Sequence, residues 1–245
     1  KAGLISLLAA VVTLLAGCGG GFATGGVPES DKLLVCASFY TVADFAQKIG
    51  GERVQVINLT GGGGEPHDWE PSPQDIAQLE KADILVTNGL GFEHWVEPVV
   101  STLENEDLLV VDSSVLLSTL RHSEHSHGGE AAEADPHIWL SPVNARLPLH
   151  AIAAAFSTAD PTGKEVYDAN LETWAKACDS LDSAYRVGLE TLSSRELVVS
   201  HGAFGSLCDA YGLEQVAVQG LAPEGEPDPG QMAAVIDFVN ERDVT

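Results

Sequence analysis

Residues 162–194 contain no proline, and their larger apolar side chains fall at Tyr167, Leu171, Trp174, Cys178, Leu181, Tyr185, Leu189 and Leu192. Steps of three and four put these on one face of a single helix. At a rise of about 1.5 Å per residue, about thirty residues span about 45 Å. That is longer than one small α/β lobe is wide, so the spacing predicts a strut joining two lobes. Ahead of it, short apolar runs of strand length at Leu33–Ala37, Val54–Asn58, Ile84–Thr87 and 108–111 alternate with helical patterns. These are 40–49 through Val42, Phe45 and Ile49, a helix opened by Ser72-Pro73 with Ile76 and Leu79 inward, and a segment around 92–103. Strand and helix in alternation predict a parallel α/β lobe. Beyond the strut come strands at 197–200 and 215–218, a helix over 206–211 stopping at Gly212, a helical pattern over 231–241, and Val244 as the start of another strand.

The expected fold class is therefore α/β: two lobes, each a parallel sheet flanked by helices, joined by one long rigid helix. Two strands do not match the first lobe, so the second lobe is expected to be incomplete, short of on the order of fifty residues for two further β/α steps. Met232 is the only methionine, so Lys1 is not an initiator. The N-terminal segment is a unit of its own, with Lys1, an apolar run over 4–15, and Leu15-Ala16-Gly17-Cys18. The run is shorter than the roughly twenty residues a membrane span needs and reads as an export signal. The expected division is 1–17 signal peptide, 18–31 glycine-rich flexible tether, 32–160 first lobe, 161–195 linking helix and 196–245 second lobe.

Composition changes the picture in two ways. A formal net charge of -24 repels nucleic acid and anionic membrane surfaces but not cations. Once Cys18 is set aside, Cys36, Cys178 and Cys208 remain, an odd number in an exported chain. Cys178 either pairs with Cys208 or belongs to the apolar seam of the strut.

The candidate chemistry is histidine. His67 lies in Glu65-Pro66-His67-Asp68-Trp69-Glu70-Pro71, in the loop after the second strand, where parallel sheets place ligands. The preceding Gly61-Gly62-Gly63-Gly64 is no phosphate loop, because no Gly-Lys-Ser/Thr follows. His137 lies in Asp135-Pro136-His137-Ile138-Trp139-Leu140-Ser141-Pro142, held between two prolines. In both motifs an aromatic residue two positions on is placed to aim the imidazole outward. Asp135 either bonds a ring nitrogen of His137, fixing its tautomer, or caps the local turn. His201 follows the strand 197–200 directly, the topological counterpart of His67. The tract His122-Ser123-Glu124-His125-Ser126-His127 reads as a weak metal-capturing or solvated loop rather than the primary site, because ordering a floppy loop costs entropy.

Together these motifs resemble one family. Leu15-Ala16-Gly17-Cys18 resembles a bacterial lipobox; with the two His-x-Trp motifs, the long helix, Val198-Val199-Ser200-His201-Gly202-Ala203-Phe204 and Pro223-Glu224-Gly225-Glu226-Pro227-Asp228-Pro229, the chain is similar to the metal-binding lipoproteins of bacterial ABC importers for zinc and manganese. The resemblance implies a metal site in the interlobe cleft, with His67, His137 and His201 as ligands and lipid on Cys18. It also implies a membrane permease as partner, monomeric state, and an extracytoplasmic location anchored to the cell membrane. Manganese members generally carry glutamate at the third position, so His201 favours zinc, as does the chemistry of three imidazoles. The fourth ligand is a water, Glu65 or a carboxylate beyond residue 245. The alternatives are a manganese or other divalent-metal binding protein, a zinc hydrolase, and a binder of an organic solute or metal chelate or a surface adhesin of the same fold. No HExxH or Gly-x-Ser-x-Gly supports the hydrolase. A polar or aromatic-lined cleft of several hundred Å³ would favour an organic ligand, a closed pocket a bare ion.

Overall fold

The computed structural model describes residues 31–62, 65–117, 134–222 and 226–242. The segment expected as an export signal, Cys18 and nearly all of the expected tether, the histidine tract and Val244 lie outside the described residues. In chain order the first part runs β1 (Leu33–Ala37), α1 (Tyr40–Gly50), β2 (Val54–Asn58), α2 (Pro73–Leu79), β3 (Ile84–Thr87), α3 (Val96–Val100), β4 (Leu109–Asp112) and α4 (Pro142–Ala159). Then come α5 (Lys164–Leu189), β5 (Glu196–His201), α6 (Gly205–Tyr211), β6 (Glu214–Gln219) and α7 (Pro229–Arg242). Among the described residues no helix is long and apolar enough to cross a membrane.

The first sheet is parallel throughout, in the order β2-β1-β3-β4. Alternate residues of its central strands face opposite ways, so each face has its own core. Val35, Ala37, Ile84 and Val86 meet Val42, Ala46 and Ile49 of α1 and Leu149, Ile152 and Phe156 of α4. Cys36 and Leu85 turn to the other face, with Leu79 of α2 and Trp95. Strand order reverses between β1 and β3, and ligands sit beyond the carboxyl ends of strands at such a switch point. The helix caps follow from sequence: Ser72 and Asp75 bond each other's backbone at the start of α2 with Pro73 in its first turn, and Gly212, at φ 65°, ends α6.

The strut is α5, 26 residues or about 39 Å long. It ends before 194, because lack of proline does not extend a helix and Ser193-Ser194 offer the backbone competing bonds. Its apolar face is used in two halves. Tyr167 is fully buried, and Leu171, Trp174 and Cys178 pack on the first lobe's core. Further on Leu181 is half exposed, while Tyr185 stacks on Tyr211 of α6, ring centroids 5.1 Å apart. Cys178 takes the seam position, and all of Cys36, Cys178 and Cys208 are free thiols, so the Cys178–Cys208 alternative is not realised. At its start, Asp160 accepts from Arg53 Nε at 2.8 Å and from the Tyr167 hydroxyl at 2.7 Å, tying the strut to the turn before β2. Burial alone would raise the Asp160 carboxyl, but the Thr162 and Tyr167 hydroxyls and the Arg53 guanidinium bring it down to about 2.

Two elements differ from expectation. Helix α4 has no counterpart in the sequence reading, because Pro148 inside it reads as a breaker and its buried residues, from Ala145 to Phe156, wrap too much of its circumference to show a clean period. The segment expected as a helix over 92–103 is helical only at Val96–Val100, because Phe92 and Trp95 are committed as buried anchors. In the second lobe β5 and β6 pair in parallel, and β5 extends to His201, which is in register with Gln219.

Candidate metal centre

Each histidine reaches the centre from a different kind of local structure. His67 sits in the turn after β2, its ring against the edge of Phe92 with centroids 4.6 Å apart. The expectation that Trp69 would support it is corrected: Trp69 packs on Trp95 on the sheet's other face, 5.2 Å between centroids. Phe92, which carried no motif, supplies the platform, and it also meets Phe39 at 5.0 Å and Trp139 at 5.4 Å. For His137 the expected aromatic support is present, with Trp139 5.3 Å from its ring. His201 ends β5, and Gly202 N–H donates to Gly220 O at 2.9 Å, so the sheet bond continues just past it.

The loop after β3 fixes the backbone of the second motif. Asn88 Nδ2 donates to Pro136 O at 2.8 Å. Asn88 is itself held by Glu93, whose Oε1 accepts from Asn88 N–H at 2.7 Å and from Ser38 Oγ at 2.5 Å, while Oε2 accepts from Gly89 N–H at 3.1 Å. Burial pushes the Glu93 carboxyl up against the pull of those donors. Gly89 (φ 86°), Leu90 (φ 58°) and Gly91 (φ 77°) are all left-handed, and Leu90 is a strained residue beside the site. Asn88, Glu93 and Phe92 were not legible as site residues, because nothing in sequence says that this turn faces the 135–139 motif.

His137 is 2% exposed. Asp135 does both of the jobs weighed for it: Oδ1 accepts the His137 backbone N–H at 2.9 Å and lies 2.8 Å from its Nδ1. Burial alone would raise the Asp135 carboxyl, but the bonds from the His137 ring and backbone, and from Ser206 N–H, hold it below its ordinary value. An ionised carboxylate only accepts, so Nδ1 carries a proton, and in the neutral ring Nε2 is the nitrogen that keeps its lone pair. That lone pair points at His67 Nε2, 3.1 Å away.

The three imidazoles form the one group of at least three His, Cys, Asp or Glu among the described residues with donor atoms placed for an ion, all within 4.8 Å of one another. Ring centroids are 5.1 Å apart for His67 and His137, 5.3 Å for His137 and His201, and 6.1 Å for His67 and His201. With zinc–nitrogen bonds of about 2.0–2.1 Å, two nitrogens on one tetrahedral ion sit about 3.3 Å apart. The closest pair already matches that spacing, and the widest needs modest side-chain rotation. Burial, and then the neighbouring His137, lower the pKa of both His67 and His201 below the ordinary 6.5, so both rings are neutral and able to donate near neutrality. Glu65 falls outside the three-residue group; its carboxylate accepts the His67 backbone N–H at 3.3 Å. A chamber of about 450 Å³ opens beside His67, lined by Asp68, Leu90, His94, Pro136 and Leu221 among others. Its wall reaches Ala134 and Ala222, each adjoining residues outside the described set.

A family model described as zinc-uptake complex component A, periplasmic, matches residues 35–245. The high-affinity zinc uptake system protein ZnuA of Bacillus subtilis is 34% identical over 97% of this chain and 77% of its own length. The manganese-binding lipoprotein MntA of Halalkalibacterium halodurans is 30% identical over 98% of this chain and 78% of its own. Among solved structures, the Zn(II)-bound ZnuA-like domain of Streptococcus pneumoniae AdcA superposes with a TM-score of 0.73 at 32% identity, covering 87% of this chain and 77% of that one.

Proposed function

The chain belongs to the family of periplasmic zinc-uptake components, and on that premise we propose that it captures zinc outside the cytoplasm through His67, His137 and His201 and hands it to the membrane permease of an ABC importer. The observation that carries this is the meeting of three imidazole nitrogens, contributed by residues 67, 137 and 201, within 4.8 Å of one another. An all-nitrogen set suits zinc, whereas manganese prefers more carboxylate oxygen. The fourth position is left to a water or to Glu65 after a shift of its carboxylate. Carriage rather than catalysis is supported by membership of a family of uptake components and by Asp135, whose carboxylate is already bonded to His137 and Ser206.

The test is His137→Ala. Groups behind a ligand are worth about 10–100-fold in affinity, so loss of the ligand itself is expected to weaken zinc binding by more than about 100-fold. Competition titration against a chromophoric chelator measures it, and an affinity equal to that of the unaltered protein would sink the assignment. Equilibration with zinc and manganese together, followed by metal analysis, checks the choice of ion; zinc is expected to predominate. The chamber beside His67 favours one second reading, an ion carried with a small chelating molecule, which mass analysis of the ligand released on denaturation would reveal.

Anchoring is the remaining part of the proposal: Cys18 carries lipid after cleavage behind Gly17, supported by the small-residue motif that ends the apolar run. In a bacterial host Cys18→Ala is expected to move the protein from the membrane fraction to the soluble one, and unchanged fractionation would refute it.

A further inference from the structure

Asp135 does more than orient one ring. Its two carboxylate oxygens point to different lobes: Oδ1 accepts from the backbone and ring of His137, and Oδ2 accepts Ser206 N–H at 3.3 Å, in the first turn of α6, just after His201. The residue before Ser206 is Gly205, and a Cβ built there would lie 2.8 Å from Asp135 Oδ2. The backbone of Gly205 is not left-handed, so the glycine is not needed for its torsion angles. What a side chain would disturb is the carboxylate.

We propose that Asp135 is a positioning residue that couples the orientation of His137 to the seating of the second lobe, and that Gly205 is the small residue which makes room for that contact. The inference rests on the reading of His137 as a metal ligand. The carboxylate cannot rotate away from Ser206 N–H without also moving Oδ1, and Oδ1 accepts the Nδ1 proton that, in the neutral ring, leaves Nε2 free to donate. When an ion binds Nε2 it withdraws charge from the ring and makes Nδ1–H a stronger donor to Oδ1. The ion therefore tightens the hold on a carboxylate whose other oxygen grips α6. Binding and lobe seating are linked through one side chain.

A double-mutant cycle tests this. Gly205→Ala is expected to weaken zinc binding about 10-fold, and Asp135→Ala by about 10–100-fold, the usual worth of a group behind a ligand. In the Asp135→Ala background the alanine at 205 meets no carboxylate, so adding Gly205→Ala is expected to change affinity less than 2-fold. Additive effects, or a Gly205→Ala protein that binds zinc like the original, would overturn the proposal. Two spectroscopic readouts keep it testable if Gly205→Ala folds poorly. In Asp135→Ala alone, Ser206 N–H is expected to exchange with solvent at least 10-fold faster. The nitrogen-15 spectrum of His137 is expected to lose its single Nδ1–H tautomer. Unchanged exchange and an unchanged tautomer would also overturn it. His137→Ala separates this inference from the one beneath it: if that variant keeps full zinc affinity, the ligand assignment fails, whereas if it loses affinity and the cycle is additive, only the coupling fails.

Discussion

At the scale of single residues, the centre is built by giving each imidazole a different constraint. His137 is buried and its proton assigned by Asp135, while His67 and His201 are partly exposed and kept neutral mainly by burial and secondly by His137. The sign of the pH response follows. Both shifts are downward from 6.5, so zinc affinity is expected to stay level from mild alkali to about 6.5 and to fall as pH drops through the lowered values, because protons then compete for the same lone pairs. The metal-free fold responds in the same direction. A histidine whose folded pKa is depressed binds fewer protons folded than unfolded, so its contribution to stability is present above about 6.5 and lost as pH falls through the folded value. Competition titrations and urea unfolding at a series of pH values check both, and affinity that rises on acidification would contradict the histidine site.

At the scale of elements, the loop after β3 sets the geometry more than any helix does. It brings Asn88 to Pro136, Phe92 to His67 and Glu93 to its own backbone. Gly89 makes this turn possible: at φ 86° a Cβ would meet Asp112 Oδ1 at 1.9 Å and Ser114 Oγ at 2.6 Å. Gly89→Ala is expected to cost at least about 1–3 kcal/mol of stability, the usual range for a strained left-handed residue, and to lower zinc affinity because Phe92 and Pro136 shift with the loop. Urea unfolding and the chelator titration read the two effects. A fully stable variant would show that the turn tolerates a side chain. The strut is the other deciding element. It was recognisable because its apolar face keeps a helical period for most of its length, whereas α4, packed against it, was hidden by Pro148 and by burial on several sides.

At the scale of the whole molecule, the site joins the two lobes, with His67 and His137 on the first and His201 on the second. An ion bound there adds its binding energy to the folded state alone. At free zinc about 1,000 times the dissociation constant this is about 4.1 kcal/mol. Calorimetry is expected to show a rise in Tm with zinc that a chelator reverses and that His137→Ala abolishes. A Tm indifferent to zinc would mean that the cluster does not bind it in the folded state. Acidity fits this role, since a net charge of -24 draws cations toward the cleft as a long-range field without selecting among them.

Sequence alone determined the local structures that short-range chemistry controls. Apolar runs marked all six strands to within a residue at each end, Ser72 and Gly212 punctuated their helices, and prolines singled out His67 and His137 as rigidly presented. It determined the strut as well, because a period of 3.6 is written along the chain. Tertiary structure decided what depends on long-range approach. The passing of Asn88 under Pro136, the use of Phe92 rather than Trp69 beneath His67, and the reach of Asp135 to Ser206 across 71 positions leave no periodic or local trace. Each is a contact between segments whose distance is set by sheet order and lobe seating. Packing fixes those quantities, and no stretch of sequence encodes them by itself.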